Sequence, residues 1–390
     1  MSPVDVLIAG GGVVGSAVAY FLSTEPSFGG TVLVVEPDPS YRFAASSRSA
    51  SSIRQQFSTP LNIALSRFGL EFLRAGGLPG SGDLTDVEFH AATYLYLASP
   101  AGLEILTHNV AVQRACAVDA RLYAPDALAA RYPWLEVRGL AAGADTGTGE
   151  GWFDGFALLG ALRRANQRRG VRYLRDRVAA IELGEDQRVE AVRLAGGETL
   201  RCAWLVNAAG TRARTLAASA GIDVPVFARK RNVFVFTSPA QIPDCPLVID
   251  PSGVWFRGDG SRFLCGPVPT SDPDVDPDDF EVDHAQFEDL AWPALAHRVP
   301  AFEQARVTGA WAGHYDYNSF DQNAFIGPCE AVPNLLLACG FSGHGLQHSP
   351  GVGRAIAEWI AFGEYRSIDL GPFAHARYAR AEPLRELNVI

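Results

Sequence analysis

The sequence predicts an α/β chain organised by a Rossmann-like dinucleotide-binding sheet, on three observations. An apolar run, Val4–Ala9, leads into Gly10-x-Gly12-x-x-Gly15 and then into a small-residue stretch with helical spacing at Val14, Val18 and Leu22. A second apolar run, TVLVVE, ends on Glu36, 21 residues past Gly15. Two strands far down the chain, 204–207 and 335–339, also stop on small, glycine-rich turns.

Strand, tight turn and helix in that order give each glycine a duty. Gly10 permits the turn off the strand, Gly12 lets backbone approach a pyrophosphate, and Gly15 lets the helix lie against the strand. Val13 and Val14 open the helix, whose free N–H groups and positive dipole end suit phosphate. Glu36 suits a ribose diol and repels the extra phosphate of NADP. Further on, GFALLGALRRANQRRG reads as an amphipathic helix with Phe156, Leu159 and Leu162 on its apolar face, closed by Gly170. Strands follow at 171–174 and 178–183, then a hairpin turning at Gly196-Gly197, then the run 204–207 into Ala208-Ala209-Gly210. A strand ending on such a turn so far from the first cradle predicts a second approach of backbone to the same cofactor, hence a sheet assembled from distant segments. Near the end, strand 335–339 enters Gly340-Phe341-Ser342-Gly343-His344-Gly345, and a helix follows with Val352, Ile356, Trp359 and Ile360 on one face. Amide donors at a helix start suit developing negative charge. Reduced flavin carries such charge across its N1–C2=O edge and nicotinamide does not, so three separated glycine turns favour FAD over NAD.

At 390 residues the chain exceeds one ordinary hydrophobic core, so two domains, interleaved or successive, are expected. A composition of 48% hydrophobic and 19% charged residues is that of a soluble globular protein, and a net charge of −10 argues against a nucleic-acid surface. No uninterrupted apolar run approaches the roughly 20 residues of a membrane helix. No basic region precedes the first apolar run, so no secretory signal and a cytoplasmic location are expected. The six cysteines are scattered without a CxxC pair, which predicts buried thiols and neither a metal site nor a disulfide framework.

Together, the first cradle, ASSRSASSIRQQFS (45–58), LVNAAG (205–210) and GFSGHGLQHSPGVGRAIAE (340–358) resemble the D-amino acid oxidase superfamily of flavoproteins. The likeness is closest to its sarcosine oxidase and dimethylglycine dehydrogenase-like members and spans essentially the whole chain; GFSGHG is its most specific motif. The resemblance implies a glutathione reductase-type FAD domain drawn from 1–85, 146–225 and 322–390. It also implies an α+β substrate-binding domain on a mostly antiparallel sheet, drawn from 86–145 and 226–321, and oxidation of a C–N bond beside an amine.

Carried over residue by residue, the resemblance sets Ser46, Ser47 and Arg48 along the FAD pyrophosphate and isoalloxazine, where hydroxyl and guanidinium donors are suited. It sets the backbone of Val178 at the adenine, and Gly343, His344, Gly345, Leu346 and Gln347 at the flavin pyrimidine edge; Ala209 and Gly210 form the second turn. Arg54 matches the arginine that holds the substrate carboxylate, for which a planar fork is the right shape. Arg257, in GVWFRGDGSRFLCG, is a candidate second anchor whose alternation with Phe256 leaves its facing open. Tyr315 and Tyr317 line the pocket or pack in the core, and Asp321 organises a loop rather than doing chemistry.

Several positions depart from the family pattern. WAGHYDYNS has no cysteine where sarcosine oxidases attach flavin, and the attachment histidine of dimethylglycine dehydrogenases is not evident near 46–49, so noncovalent FAD is expected. Gln347 stands where those oxidases carry a carboxylate-binding lysine, and Leu264 where a lysine assists oxygen. The electron acceptor is then oxygen, a quinone or another protein. The expected reaction is loss of hydride from the α C–H of a neutral secondary or N-substituted amino acid to flavin N5, the imine being hydrolysed; positioning, rather than a dedicated catalytic acid or base, is its main need. The alternatives are a D-amino acid or glycine-type enzyme and, from another class, a flavoprotein assembly factor with a vestigial pocket. VPTSDPDVDPDDFEVD (268–283) reads as a solvated loop, or else a lid or partner contact.

Overall fold

Residues 2–147 and 149–388 are described by this computed structural model. Among them, one sheet of eight strands has a parallel centre in which Val4–Ala9 lies between Val32–Val35 and Thr199–Asn207. Arg172–Leu174 extends it on one side and Val332–Cys339 on the other. Strands covered on both faces are apolar at nearly every position, and Val4–Ala9 and Val32–Val35 are. Val6, Ile8, Val32, Val34 and Val206 meet the helices Val13–Thr24, Pro60–Arg74, Gly155–Arg168 and Gly345–Phe362. Leu7, Ala9, Leu33 and Leu205 meet the hairpin Val178–Leu183 and Val189–Leu194 and the helix Ala213–Ala218. The helices Val13–Thr24 and Gly345–Phe362 touch so closely that a Cβ on Gly353 would stand 2.6 Å from the Ala17 carbonyl carbon.

A second sheet of eight described strands runs, in spatial order, Arg306–Asn318, Val226–Thr237, Arg262–Pro267, Val254–Asp259, Leu247–Ile249, Tyr94–Ala98, Ala142–Asp145 and Arg121–Tyr123. It is antiparallel except where Leu247–Ile249 runs beside Tyr94–Ala98. One face, with Phe234, Phe236, Phe256 and Cys265, is covered by Phe302 and by the helices Pro125–Arg131 and Trp292–Arg298. The other face looks toward the first sheet across a cleft.

Three expectations need correction. Phe156 is 53% exposed, because the buried stripe of its helix runs through Leu158, Leu159, Leu162 and Ala165, and Phe156 lies round the back of that stripe. Cys116 is half-buried whereas the other five thiols are buried; all six are free. Segment 268–283 is exposed or half-buried throughout, but it is strapped down rather than merely solvated. Asp272 pairs with Arg231, Asp274 with Arg229 at 2.9 Å, Asp278 with Arg212 at 2.6 Å and Asp279 with Lys230 at 2.6 Å. Phe280 packs on Phe43 and His314, with ring centroids at 4.7 and 4.5 Å. Composition cannot show that the strand Val226–Thr237 lays three consecutive cations beside this acidic run.

Candidate functional site

The cleft between the sheets has a volume of about 750 Å³. The first glycine turn floors one end. Gly10 has φ of +100°, which an L side chain rarely adopts, and Gly15 abuts the Gly10 carbonyl, so Gly15 is a packing glycine that does not reach the cleft. In front of Gly12, by contrast, the nearest atom to an added methyl would be Ser46 Oγ at 3.8 Å. The helix Val13–Thr24 starts there with no side-chain cap, its Val13 N–H donating to Ser46 Oγ at 3.1 Å. Val13, Val14, Val178, Ala209 and Gly210 line the same hollow. Glu36 also lines it; one carboxylate oxygen accepts from Gly11 N–H at 2.8 Å and the other from Asp38 N–H at 2.9 Å. Burial pushes its pKa up against those donors.

Ser46 and Arg48 line the cleft, whereas the Ser47 hydroxyl is buried outside it with no partner. Arg48 lies between the Phe43 and Phe280 rings, at 5.0 and 5.2 Å from their centroids, and donates to Ala312 O. Gly343, His344, Gly345, Leu346 and Gln347 form the opposite wall with Tyr315, whose ring lies so near Gly343 that a Cβ there would be 2.7 Å from it.

Arg54 closes the inner end and is only 4% exposed. Its guanidinium stands over Phe57 at 4.6 Å and near Tyr96 and Tyr94 at 5.7 and 5.9 Å. Nη2 donates to His344 Nε2 at 3.0 Å and to the carbonyl of Asn388, and Nε has no partner. No described carboxylate pairs with it directly; burial opposes its charge, but Tyr96, Tyr94, Glu386 and Glu150 hold its pKa above the ordinary value. Burial first, then Arg54, holds His344 well below its usual value and His348 at about 3, so both imidazoles are neutral. Because Arg54 only donates, His344 Nε2 is the acceptor and the ring proton sits on Nδ1.

Other predicted site residues are placed differently. Gln347 lines the cleft, but its Oε1 accepts from Arg54 N–H at 2.9 Å and from the Ser66 hydroxyl at 3.2 Å, so it positions the Arg54 backbone. Arg257 shares the Trp255 side of its strand, opposite Phe256, but does not reach the cleft. Its guanidinium is taken by the carbonyls of Ala50 and Gly258 and by Asp259, over the Trp152 ring. The structure therefore does not bring it to Arg54 as a second anchor. Tyr317 also stays out of the cleft, accepting from Gln322 and lying 5.3 Å from Arg229. Asp321 forms a two-point pair with Arg377, at 2.7 and 3.0 Å, and holds a loop. Leu264 packs with Val233 and Val235.

Sequence reasoning missed Tyr41, Arg231, Asn232, Trp255, His314 and Asp316, all of which line the cleft. Tyr41 OH, Asn232 Oδ1 and His314 Nε2 are buried without protein partners, as suits a polar ligand lying along them. Five arginines, 48, 54, 177, 212 and 231, and four acids, 36, 38, 278 and 316, line the cleft, so its formal charge is close to balanced. An elongated hollow with a phosphate-ready helix start, a diol-ready carboxylate and unpartnered polar atoms fits FAD. No group of metal-ligating side chains occurs among the described residues.

A family profile described as FAD dependent oxidoreductase matches residues 5–359. The FAD-dependent oxidoreductase domain-containing protein 1 of Xenopus laevis is 39% identical over 99% of this chain and 85% of its own length. The mitochondrial dimethylglycine dehydrogenase of Mus musculus is 23% identical over 97% of this chain and 45% of its own length. The crystal structure of L-proline dehydrogenase from P. horikoshii superposes with a TM-score of 0.84 at 22% identity, covering 98% of this chain and 99% of that one.

Proposed function

Because the chain belongs to the family of FAD-dependent oxidoreductases, with FAD as its cofactor, we propose that it oxidises the C–N bond of a small secondary or N-substituted amino acid. FAD, when bound, supplies the acceptor for the two electrons removed from that bond. In this reading segments 1–85, 146–225 and 322–390 hold the cofactor and 86–145 and 226–321 the substrate side.

The observation that carries the reading is Arg54, a buried guanidinium that lines the cleft with an unpartnered Nε and, among the described residues, no directly paired carboxylate. Glu386 and Glu150 support its charge only from a distance, and a buried cation with no described carboxylate in direct contact suits an anionic ligand. A carboxylate on Arg54 sets the neighbouring amine against the wall of Tyr94, Leu247, Trp255 and Tyr315, which excludes water. His344 is neutral and its Nε2 lone pair is engaged by Arg54, so it orients the fork rather than taking a proton. The amine therefore arrives neutral, and the imine formed from it is hydrolysed by water. No cysteine lines the cleft among the described residues, in keeping with noncovalent FAD. Leu264 packs with Val233 and Val235 and is not part of the cleft lining, so the acceptor, whether oxygen, a quinone or a protein, is read from recovery in air.

Anaerobic flavin bleaching against sarcosine, dimethylglycine, proline, glycine and D-amino acids, followed by air, tests this. Bleaching by N-substituted substrates that is lost in Arg54→Gln is expected; fast recovery in air gives an oxidase and slow recovery a dehydrogenase. Bleaching by primary amines alone would give a D-amino acid or glycine-type enzyme, and no bleaching by any amine would overturn amine oxidation.

A further inference from the structure

We propose that segment 386–388 is a gate on the carboxylate subsite: the Asn388 carbonyl holds a guanidinium proton that an incoming carboxylate needs, and it leaves when the carboxylate binds. The inference rests on the reading that Arg54 receives a substrate carboxylate.

A guanidinium offers a carboxylate two forks, one made by Nη1 and Nη2 and the other by Nε and Nη2, and each uses one of the two Nη2 protons. On Arg54 both are taken, one by His344 Nε2 and one by the Asn388 carbonyl. Two-point binding therefore requires one acceptor to withdraw. His344 is buried at the start of the helix Gly345–Phe362, with its ring 5.0 Å from Phe57 and 5.7 Å from His348, so it cannot leave without repacking the wall. Segment 386–388, by contrast, is held at its tip only by polar contacts that water can replace, with Leu387 N–H donating to Ser58 Oγ at 2.8 Å and Asn388 N–H to Glu386 Oε1 at 3.0 Å. Its root is Glu386, fully buried, which accepts from Ser58 N–H and Oγ at 2.8 and 2.7 Å, from Asn62 at 2.9 Å and from Thr59, at the entry to the helix Pro60–Arg74. Beyond it Leu387 is 52% exposed. Asn388 is held through its side chain by Asn109 at 3.0 Å and by the Gln56 carbonyl at 2.9 Å. The engaged carbonyl lowers apparent carboxylate affinity by the fraction of molecules in which it sits on Arg54.

The test is calorimetric titration of acetate, with neutral acetamide as control, into the FAD-loaded protein, the Asn388→Ala variant and the Asn388→Gly variant. Asn388→Gly, which removes both side-chain anchors and frees the backbone, is expected to bind acetate about tenfold more tightly, the scale of one hydrogen bond to a charged group. Asn388→Ala is expected to move in the same direction, with acetamide unaffected. Hydrogen exchange on the unaltered protein needs no variant to fold, and acetate should speed exchange at residues 387 and 388. Unchanged or weaker acetate binding in both variants, with unchanged exchange, overturns the gate. Acetate that binds none of these proteins, or still binds Arg54→Gln, overturns the anchor reading instead.

Discussion

At the scale of single residues, Gly12 and Gly15 sit in one motif but answer to different forces. A methyl on Gly12 meets only Ser46 Oγ at 3.8 Å, whereas one on Gly15 meets Ile8 Cγ2 at 3.1 Å and collides with the Gly10 carbonyl. Gly12→Ala should leave the melting temperature of the cofactor-free protein unchanged and weaken FAD binding about tenfold or more, since it fills the approach to the pyrophosphate. Gly15→Ala should lose about 1–3 kcal/mol of stability in urea denaturation, as an overpacked site does. Asp316 gives a pH signature. Burial pushes its pKa from 3.8 up to about 6, while its carboxylate accepts from Gly340 N–H at 2.7 Å. The folded state thus keeps a proton that the unfolded chain has released, so stability falls as pH rises from about 4 through about 6, by about 3 kcal/mol in all. Urea titrations at pH 4 and pH 7.5 should show this loss in the cofactor-free protein and not in Asp316→Asn. The glycines were legible because motif and spacing mark them, and Arg54 because the family resemblance does. Asp316, Asn232 and His314 were not, because an isolated polar residue on a strand announces neither its face nor its burial.

At the scale of elements, the strap 268–283 bridges the two halves of the cleft. Its acids reach Arg229, Lys230 and Arg231 on the strand Val226–Thr237 and Arg212 beside the second glycine turn, and Phe280 lies over the lining. Each pair is partly exposed and weak alone, and all are screened by salt. FAD release, followed by flavin fluorescence, should therefore quicken several-fold between low salt and about 1 M salt, where the Debye length is about 3 Å. In a variant carrying Asp272→Asn and Asp279→Asn, release should already be fast at low salt and should respond little to added salt. Equal release from both proteins at every ionic strength would show that the strap does not retain the cofactor. The sequence displayed the acidic run and the Arg-Lys-Arg triplet separately; their pairing spans more than thirty residues and exists only because the hairpins fold back. Helices and strands were read more fully, since periodicity is local, although Phe156 shows that one turn at a helix end is enough to place a residue on the wrong face.

At the scale of the whole molecule, the cleft proposed for the cofactor lies between two sheets that each have their own core, so FAD bound there should stabilise both. FAD at a hundred times its Kd should add about 2.7 kcal/mol, seen as a single raised melting transition, and NADP should not, because Glu36 meets its extra phosphate. A shift of equal size with NADP would contradict the role given to Glu36. The amino-acid sequence by itself determined the nucleotide-binding motif, the three glycine turns and the preference for FAD, because these depend on residue type and short spacing; Arg54 was singled out by the family resemblance, as the arginine proposed for the substrate carboxylate. Tertiary structure alone decided that Arg257 is spent on Ala50, Gly258 and Asp259, that Gln347 serves the Arg54 backbone, and that Asn388 reaches Arg54 across 334 positions of sequence. The physical reason is that a side chain's role is set by which partners saturate its donors and acceptors, and those partners come from segments that meet only after the chain has folded.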